Sequence, residues 1–249
     1  MSPRLSFAAD AIFQAGRLTL GYFGRVGYDL KSDNTPVTIA DREAEALLRK
    51  LISQSFPGEA ILGEEEGLSG VGDDRWVIDP IDGTKSFVAG VPLYGCLLSY
   101  ERDGEPVIGA AYFPALEEIL LAEKGAGCTF NGRACRVSTK SLQDSLVVSG
   151  SLKTFHTRGC LDGLMKLSEK AMALRTWCDA YGHALVATGR ATAMLDPIVS
   201  RWDISAVSLI VREAGGKVTD FAGNDVLGQE LISSNGVFHD ELVEAMRAN

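Results

Sequence analysis

Two aspartates, Asp79 and Asp82, stand three residues apart just after a short apolar run, residues 76–78. Such a run predicts a buried strand, and Pro80 is expected to end it because proline has no N–H for a sheet ladder. The Gly-Thr-Lys-Ser segment that follows can turn the chain into a helix. Carboxylate oxygens at a strand end, beside backbone N–H groups at a helix start, suit a divalent metal and a phosphate together.

Four segments of the chain carry a family resemblance. A pair of aspartates in a turn more often caps the backbone or lies in solvent than binds a metal. Here, however, residues 79–84 (Asp-Pro-Ile-Asp-Gly-Thr) resemble a signature of the inositol monophosphatase family of magnesium-dependent phosphomonoesterases. Three further segments resemble motifs of that family in the same order along the chain: residues 36–41 (Pro-Val-Thr-Ile-Ala-Asp), 61–65 (Ile-Leu-Gly-Glu-Glu) and 202–216 (Trp-Asp to Glu-Ala-Gly-Gly).

The resemblance covers nearly the whole chain and implies a fold and a metal site. The implied fold is the layered αβαβα sugar-phosphatase fold, with α+β and α/β parts. One metal would be held by Glu64, Asp79 and the main-chain carbonyl of Ile81, and a second by Asp79, Asp82 and Asp203. A weaker third would lie near Glu64, so two or three Mg²⁺ ions per site are implied. Magnesium prefers oxygen ligands in octahedral geometry, which this set supplies.

The same resemblance assigns catalytic and phosphate-binding roles. Gly83 and Thr84 would contact the phosphate, Asp41 would pair with Thr84 to position the attacking water, and Glu64 would take part in catalysis. Each acidic residue also has a simpler explanation. Glu64 begins a run of glutamates, which is typical of a solvated surface. Asp41 and Asp203 stand where a carboxylate caps a helix or complements its dipole.

The expected reaction is hydrolysis of a phosphate monoester. Unaided hydrolysis is so slow that the acceleration needed can approach roughly 10²¹-fold. No cysteine, histidine or serine stands in a recognisable nucleophile motif. Attack by a metal-activated water is therefore expected, with one metal lowering the pKa of the water and another stabilising the leaving oxygen.

The choice of phosphate ester depends on residues outside the metal motifs. Lys85-Ser86-Phe87 stands where general inositol enzymes carry Thr-Asn, and it is similar to the histidinol-phosphatase branch, although nucleotide phosphatases also have lysine there. Residues 178–183 and 187–190 resemble the same branch. We expect hydrolysis of histidinol phosphate, with an inositol-1-phosphate or broad sugar and nucleotide phosphatase as the alternative. A non-catalytic regulatory protein on this scaffold is a third hypothesis, which the presence of every implied ligand disfavours.

Four residues are expected to bind the rest of the substrate. Histidinol phosphate carries an ammonium and an imidazole, for which Asp179 and Asp196 would be acceptors and Tyr181 a planar surface. Arg201 would reach the distal end of the ligand, or would be a surface cation. The alternative for Asp179 and Tyr181 is that they cap and begin a helix. His183 is expected to be a packed helix residue rather than a ligand.

The elements that must position these residues form two halves. Residues 1–140 predict an α+β half in which two amphipathic helices pack on an antiparallel sheet, residues 95–137. Asp103-Gly104 and Asn131-Gly132 are strong hairpin signals within that sheet. Strands and helices alternate over residues 141–249, which predicts an α/β half. The first half carries most of the metal ligands, and the second carries Asp203 and the specificity residues.

Composition limits the partners. The 249 residues have a formal net charge of −9 and a pI near 4.9, which argues against nucleic acid. No run resembles a signal peptide or membrane span, so no membrane partner is expected. The five cysteines include no C-x-x-C motif, so neither a zinc site nor a disulfide framework is indicated. A cytoplasmic protein with reduced thiols is expected, and the family resemblance implies a homodimer that binds a small phosphate ester.

Overall fold

The computed structural model describes residues 1–32, 35–72, 74–177 and 179–247. The α-helices in this part of the chain are α1 (Pro3–Leu20), α2 (Ile39–Ser55), α3 (Thr84–Val88), α4 (Leu152–Thr157), α5 (Leu161–Lys170), α6 (Ala180–Ala187), α7 (Arg201–Glu213) and α8 (His239–Met246). The strands are β1 (Asp29–Leu30), β2 (Pro36–Val37), β3 (Ala60–Gly63), β4 (Gly67–Ser69), β5 (Arg75–Asp82), β6 (Gly95–Arg102), β7 (Glu105–Phe113), β8 (Glu118–Glu123), β9 (Gly127–Phe130), β10 (Arg133–Ala134), β11 (Leu146–Ser149), β12 (Ala173–Arg175), β13 (Ala193–Asp196), β14 (Lys217–Thr219) and β15 (Leu231–Ser234).

Helices α1 and α2 form the first layer and cover one face of the larger sheet. Within the described residues, that sheet has eight strands in the order β10-β9-β8-β7-β6-β5-β3-β4, and β3 pairs with β5 in parallel. Apolar residues at helical spacing, such as Ile12 and Leu48, bury the helices against it. Trp76 of β5 is fully buried in this core, where its ring meets those of Phe7 and Phe56 at centroid distances of 5.3 and 5.2 Å.

Helices α6 and α7 form the middle layer between the two sheets. The smaller sheet has five strands in the order β12-β11-β13-β15-β14. Strand β11 runs parallel to β12 and β13, while β15 runs antiparallel to β13 and β14. Residues of α7 such as Val207 and Ile210 share one core with Leu97 of the larger sheet and Met194 of the smaller sheet.

Helices α4, α5 and α8 cover the outer face of the smaller sheet, where Phe155, Leu164 and Leu242 pack on Val147 and Ile232. The layers therefore follow the order α, β, α, β, α, and the expected fold is confirmed. All strands of the larger sheet precede residue 140 and all strands of the smaller sheet follow it. Because α7 packs between both sheets, the two parts of the chain share one core.

The strand that bears the two signature aspartates is longer than predicted. The prediction that Pro80 ends the strand was wrong, since β5 continues to Asp82. Strand β3 pairs with β5 only as far as Ile78, so the missing N–H of Pro80 interrupts no ladder on that side. The pairing with β6 shifts register between Asp79 and Asp82. Residues three apart in a regular strand point to opposite faces, and this irregularity re-aims them as a bulge does.

Among the described residues, no helix is both long and apolar enough to cross a membrane.

Candidate active site

Three aspartates converge where the end of β5 meets the start of α7. Asp79, Asp82 and Asp203 each place a carboxylate oxygen within 4.8 Å of the other two. Asp203 reaches this cluster from the first turn of α7, where its Oδ2 accepts a hydrogen bond from the backbone N–H of Ser200 at 2.6 Å. Ser200 and Asp203 form a capping box, so Asp203 caps its helix and also joins the cluster. The capping explanation therefore holds for Asp203, and its position in the cluster is compatible with the ligand role that the resemblance implies.

The cluster has the electrostatics of a cation site. Burial, followed by the charges of Glu64, Asp82 and Asp203, raises the pKa of Asp79 well above its usual value. Burial and neighbouring carboxylates raise the pKa of Asp82 in the same way and that of Asp203 to about 7. The buried Oδ1 of Asp79 has no hydrogen-bond partner among the described residues. An unpaired buried oxygen among mutually repelling carboxylates fits a bound divalent cation, because burying charge requires a counter-charge.

Glu64 lines the same cavity but lies in an ion pair that the sequence analysis missed. The Nζ atom of Lys31, just after β1, lies 2.8 Å from Glu64 Oε1 and 2.7 Å from Glu65 Oε1. Burial raises the pKa of Glu64, and Lys31 opposes that shift. The ammonium of Lys31 therefore supplies positive charge at the edge of the acidic site.

The turn that carries Glu64 is held by a second residue that the sequence analysis missed. Glu45 of α2 is fully buried and accepts hydrogen bonds from the backbone N–H groups of Glu65 and Glu66 at 2.8 and 3.0 Å. Arg49 neutralises it at 2.8 Å. A Cβ at Gly63 would lie 2.2 Å from Glu45 Oε1, so only glycine allows this close approach. The glycine of the Gly-Glu-Glu segment thus makes room for the carboxylate that holds the backbone of the turn directly after Glu64.

The structure brings Asp41 and Thr84 together, as the resemblance implied. Thr38 begins α2 with a capping box in which its N–H and hydroxyl donate to Asp41 Oδ2 at 2.8 and 2.6 Å. The other carboxylate oxygen, Oδ1, lies 3.4 Å from Thr84 Oγ1. Thr84 Oγ1 also lies 3.1 Å from the carbonyl oxygen of Ile81. One carboxylate therefore fixes a helix end and a cavity hydroxyl at once.

Gly83 joins β5 to α3 and lets Asp179 approach. Its φ of 81° lies in the left-handed region, which glycine adopts without strain. A Cβ there would lie 2.8 Å from Asp179 Oδ2. Asp179 itself has φ 63° and ψ −164°, a region that costs a non-glycine residue about 1–3 kcal/mol and occurs mostly at functional sites. The next residue, Ala180, donates its N–H to Asp82 Oδ2 at 2.7 Å.

A cavity of about 310 Å³ extends from the aspartate cluster to the N-terminal turn of α6. Asp179, His183 and Asp196 line it at this end. Burial raises the pKa of Asp196 well above its usual value, and the charges of Asp179 and Asp203 add to the shift. His183 is only 2% exposed, and its Nδ1 lies 2.8 Å from Ser233 Oγ. Burial lowers its pKa to about 3, so this packed residue presents a neutral imidazole to the cavity.

Two residues expected to bind substrate lie outside the cavity. Tyr181 packs edge-to-face on Phe113 with ring centroids 5.0 Å apart, and its hydroxyl lies 3.3 Å from Arg190 Nη1. Arg201 donates to the buried carboxylate of Glu101 at 2.6 Å and to the carbonyl of Gly104. Neither belongs to the cavity wall, so packing and an internal ion pair account for them.

Fold and site together are those of a phosphoric monoester hydrolase from a metal-dependent family. The model of the inositol monophosphatase family matches residues 1–249, and the chain belongs to that family.

The curated relatives include two kinds of phosphatase. The chain is 42% identical to a histidinol-phosphatase of Chlorobaculum parvum, over 99% of this chain and 97% of the relative. It is 38% identical to a fructose-1,6-bisphosphatase/inositol-1-monophosphatase of Thermotoga maritima, over 98% and 95% of the two chains. Among solved structures, an inositol monophosphatase of Thermotoga maritima superposes with a TM-score of 0.91 at 36% identity, covering 98% of this chain and 97% of the other.

The effect of Asp203→Asn on stability should change sign when metal is added: the variant should be more stable than wild type without metal and less stable than wild type with Mg²⁺. Without metal, the raised pKa of Asp203, about 7, means that the folded state binds a proton which the unfolded chain releases near pH 4. The stability that this proton contributes is present below pH 4 and lost as the pH rises through 7. Metal-free Asp203→Asn should therefore melt about 4 °C or more above wild type at pH 8.

Thermal unfolding of both proteins at pH 4 and pH 8, with EDTA or with Mg²⁺, checks this expectation. The difference should vanish at pH 4, and Mg²⁺ should raise the melting temperature of wild type but not of Asp203→Asn. A variant that stays less stable than wild type in EDTA at pH 8 would contradict the electrostatic account.

Proposed function

We propose that this chain is a Mg²⁺-dependent phosphatase that hydrolyses histidinol phosphate to histidinol and phosphate. The observation that carries the proposal is the second pair of acidic residues in the cavity, Asp179 and Asp196, beside the aspartate cluster. An inositol ring offers hydroxyl groups, which need no full counter-charge. An ammonium group gains most from buried carboxylates, because charge-assisted hydrogen bonds are about twice as strong as neutral ones.

The metal ions would be held by the residues that the resemblance named: Glu64, Asp79, the carbonyl of Ile81, Asp82 and Asp203. Bound Mg²⁺ supplies an activated water and neutralises charge on the phosphate and leaving oxygens. Lys31, whose Nζ lies 2.8 Å from Glu64 Oε1, would balance the charge of Glu64.

The residues around Thr84 would orient the phosphate and the attacking water. At the start of α3, the N–H groups of Gly83 and Thr84 would donate hydrogen bonds to phosphate oxygens. Asp41, fixed by Thr38, would orient the Thr84 hydroxyl so that it directs the water. In this arrangement Asp41 would accept a hydrogen bond from the Thr84 hydroxyl, and that hydroxyl oxygen would accept one from the attacking water. The pair would thus assist removal of a proton from the water as a general base does.

At the other end of the cavity, the substrate amine would pair with Asp179 and Asp196. Burial disfavours the charged form of Asp196 in the free protein, and an ammonium at hydrogen-bond distance would favour its ionised carboxylate. His183 would present its neutral imidazole to the imidazole of the substrate. Tyr181 and Arg201, which the cavity does not include, would bind substrate only through a rearrangement, so the proposal assigns them no contact.

The alternative is an inositol-1-phosphate or broad sugar phosphatase. The similarity to the Thermotoga maritima fructose-1,6-bisphosphatase/inositol-1-monophosphatase favours it. Asp196 and Thr154, both on the cavity wall, can also bind hydroxyl groups. Similar kcat/KM values for the different phosphate esters would follow if neither Asp179 nor Asp196 is charged when the substrate binds.

Phosphate release with Mg²⁺ from histidinol phosphate, myo-inositol 1-phosphate, fructose 1,6-bisphosphate and adenosine 3′,5′-bisphosphate tests the proposal. The expected kcat/KM for histidinol phosphate is at least about a hundredfold above the others, which corresponds to about 2.7 kcal/mol. A profile that is flat, or led by the inositol ester, would keep the phosphatase and discard the proposed substrate.

Asp196→Asn should narrow that preference. The asparagine keeps the size and one acceptor of the side chain but removes the charge that pairs with an ammonium. The ratio of kcat/KM for histidinol phosphate to that for inositol 1-phosphate should fall at least about tenfold. The matched control is Asp162→Asn, a surface aspartate in the first turn of α5, which should leave the ratio unchanged. An unchanged ratio in Asp196→Asn would remove Asp196 from substrate recognition.

We also propose a cytoplasmic homodimer. The free thiols of Cys96, Cys128, Cys135 and Cys160 support a reducing compartment, and the family resemblance supports the dimer. Cys178 lies outside the described residues. Sedimentation at micromolar concentration, with and without Mg²⁺, tests the assembly, and a monomer under both conditions would overturn it.

A further inference from the structure

Two cysteines face each other on a hairpin of the larger sheet, away from the cavity wall. Cys128 lies in β9, and Cys135 follows β10 after the tight turn at Asn131 and Gly132. The two Sγ atoms are 3.3 Å apart. The N–H of Cys135 donates to the carbonyl of Cys128 at 3.1 Å, so the residues are a directly opposed antiparallel pair. Such hydrogen-bonded pairs have Cα atoms about 5.5 Å apart, within the range that a disulfide spans.

The two thiols differ in access and environment. Cys128 is 4% exposed, whereas Cys135 is half-buried. The hydrogen bond with Cys128 and the charge of Arg190 lower the pKa of the Cys135 thiol from its ordinary value, against the effect of burial. The same hydrogen bond and burial raise the pKa of Cys128. Cys135 is therefore the nucleophile of the pair, since a thiolate attacks and a thiol does not.

Arg190 is fixed next to this hairpin. Its guanidinium lies over the ring of Phe130, the last residue of β9, at 5.0 Å. Glu118 of β8 binds it at 2.8 Å. Because Arg190 is anchored at both points, it supplies a fixed positive charge beside Cys135 rather than a transient one.

The remaining described cysteines lack this arrangement. Cys96 is fully buried, and burial raises its pKa to about 12. Cys160 is 3% exposed, and its thiol donates to the carbonyl of Phe155 at 3.7 Å. Within the described ranges, neither has a second sulfur in hydrogen-bond contact. They serve as internal controls, because they share the chain but not the geometry.

We propose that Cys128 and Cys135 are a reversible dithiol–disulfide pair in the folded protein, oxidised by small disulfides such as oxidised glutathione. The Cys135 thiolate attacks one sulfur of oxidised glutathione, forming a mixed disulfide and releasing one glutathione thiolate. Cys128 then loses its proton to solvent, attacks Cys135 Sγ and displaces the second glutathione thiolate. Two protein thiols give up two electrons and two protons, and one glutathione disulfide becomes two glutathione thiols.

Peptide mapping of the native, full-length protein tests the proposal. The reduced protein is incubated with increasing ratios of oxidised to reduced glutathione, quenched in acid and digested with trypsin without reductant. Cleavage after Lys124, Arg133 and Arg136 separates the two cysteines into peptides 125–133 and 134–136, which stay joined only by their disulfide. Cys178 is measured on its own peptide, residues 176–190. The joined pair should be the main oxidised product, with Cys96 and Cys160 still reduced.

Two variants distinguish this mechanism from general thiol reactivity. Cys128→Ser should accumulate the mixed disulfide on Cys135 at least about tenfold over wild type, because no second thiol resolves it. Cys160→Ser should form the joined peptides as wild type does. Alkylation of the reduced wild-type protein, which needs no variant to fold, should modify Cys135 before Cys128. Joined peptides that appear only in denaturant, or stable glutathione on wild-type Cys135, would overturn the proposal.

Discussion

Replacing Asp82 with asparagine is expected to reduce kcat/KM by at least about a hundredfold while leaving the fold intact. The side chain keeps its size, and an amide oxygen can still accept the hydrogen bond that Ala180 N–H gives to Asp82 Oδ2 at 2.7 Å. What is lost is one negative charge from a cluster whose oxygens lie within 4.8 Å of one another. A divalent cation binds such a cluster through charge, so the variant should need far more Mg²⁺ or fail to bind it.

The loss of activity should be accompanied by a gain of stability in EDTA. Asp82 is almost fully buried, and its pKa is raised by burial and by Asp179 and Asp203, so its charge opposes folding at neutral pH. Calorimetry in EDTA and titration with Mg²⁺ followed by unfolding temperature check both halves of this prediction. Asp162→Asn, on the surface of α5, controls for loss of one charge. Activity above about a tenth of wild type would contradict the role of Asp82 as a metal ligand.

The aspartate cluster was predictable from sequence because its residues lie in short local motifs. Asp79 and Asp82 share one strand end, and Asp203 stands in the first turn of a helix, so a motif of a few residues places each one. Lys31 and Glu45 were not predictable in this way. Their roles depend on the approach of β1 and α2 to the Glu64 turn, and a lysine after a strand or a glutamate within a helix carries no local signal of such an approach.

The substrate end of the site shows the limit of motif reasoning most clearly. Asp179 and Tyr181 lie two residues apart in one segment that resembles the histidinol-phosphatase branch, but Asp179 precedes α6 with a non-helical backbone and Tyr181 lies within the helix. Within α6, Ala180 and His183 stand three residues apart on one face and line the cavity, while Tyr181 turns into the core against Phe113. Helical spacing counted from Ala180 would have favoured His183 over Tyr181. Pro80 did not end its strand because β3 pairs with β5 only as far as Ile78, a long-range feature that the local sequence does not reveal.

Thr84→Val is expected to lower kcat by roughly 10²- to 10³-fold with little change in Mg²⁺ binding, in contrast to Asp82→Asn. Valine has nearly the shape of threonine but lacks the hydroxyl that lies 3.4 Å from Asp41 Oδ1 and 3.1 Å from the Ile81 carbonyl. No metal-cluster carboxylate is removed, so Mg²⁺ should still raise the unfolding temperature as in wild type.

Two further variants distinguish a role of the Thr84 hydroxyl in positioning the attacking water from a structural role of the Thr84 side chain. Thr84→Ser restores an oxygen at the same place and should recover activity to within about tenfold of wild type, whereas a purely structural role for the threonine methyl would leave serine as poor as valine. Asp41→Asn should reproduce most of the loss in kcat, because an amide directs the Thr84 proton less strongly than a carboxylate. If Thr84→Val instead lost Mg²⁺ stabilisation, the hydroxyl would belong to the metal site and the assignment of Asp41 and Thr84 to water positioning would fail.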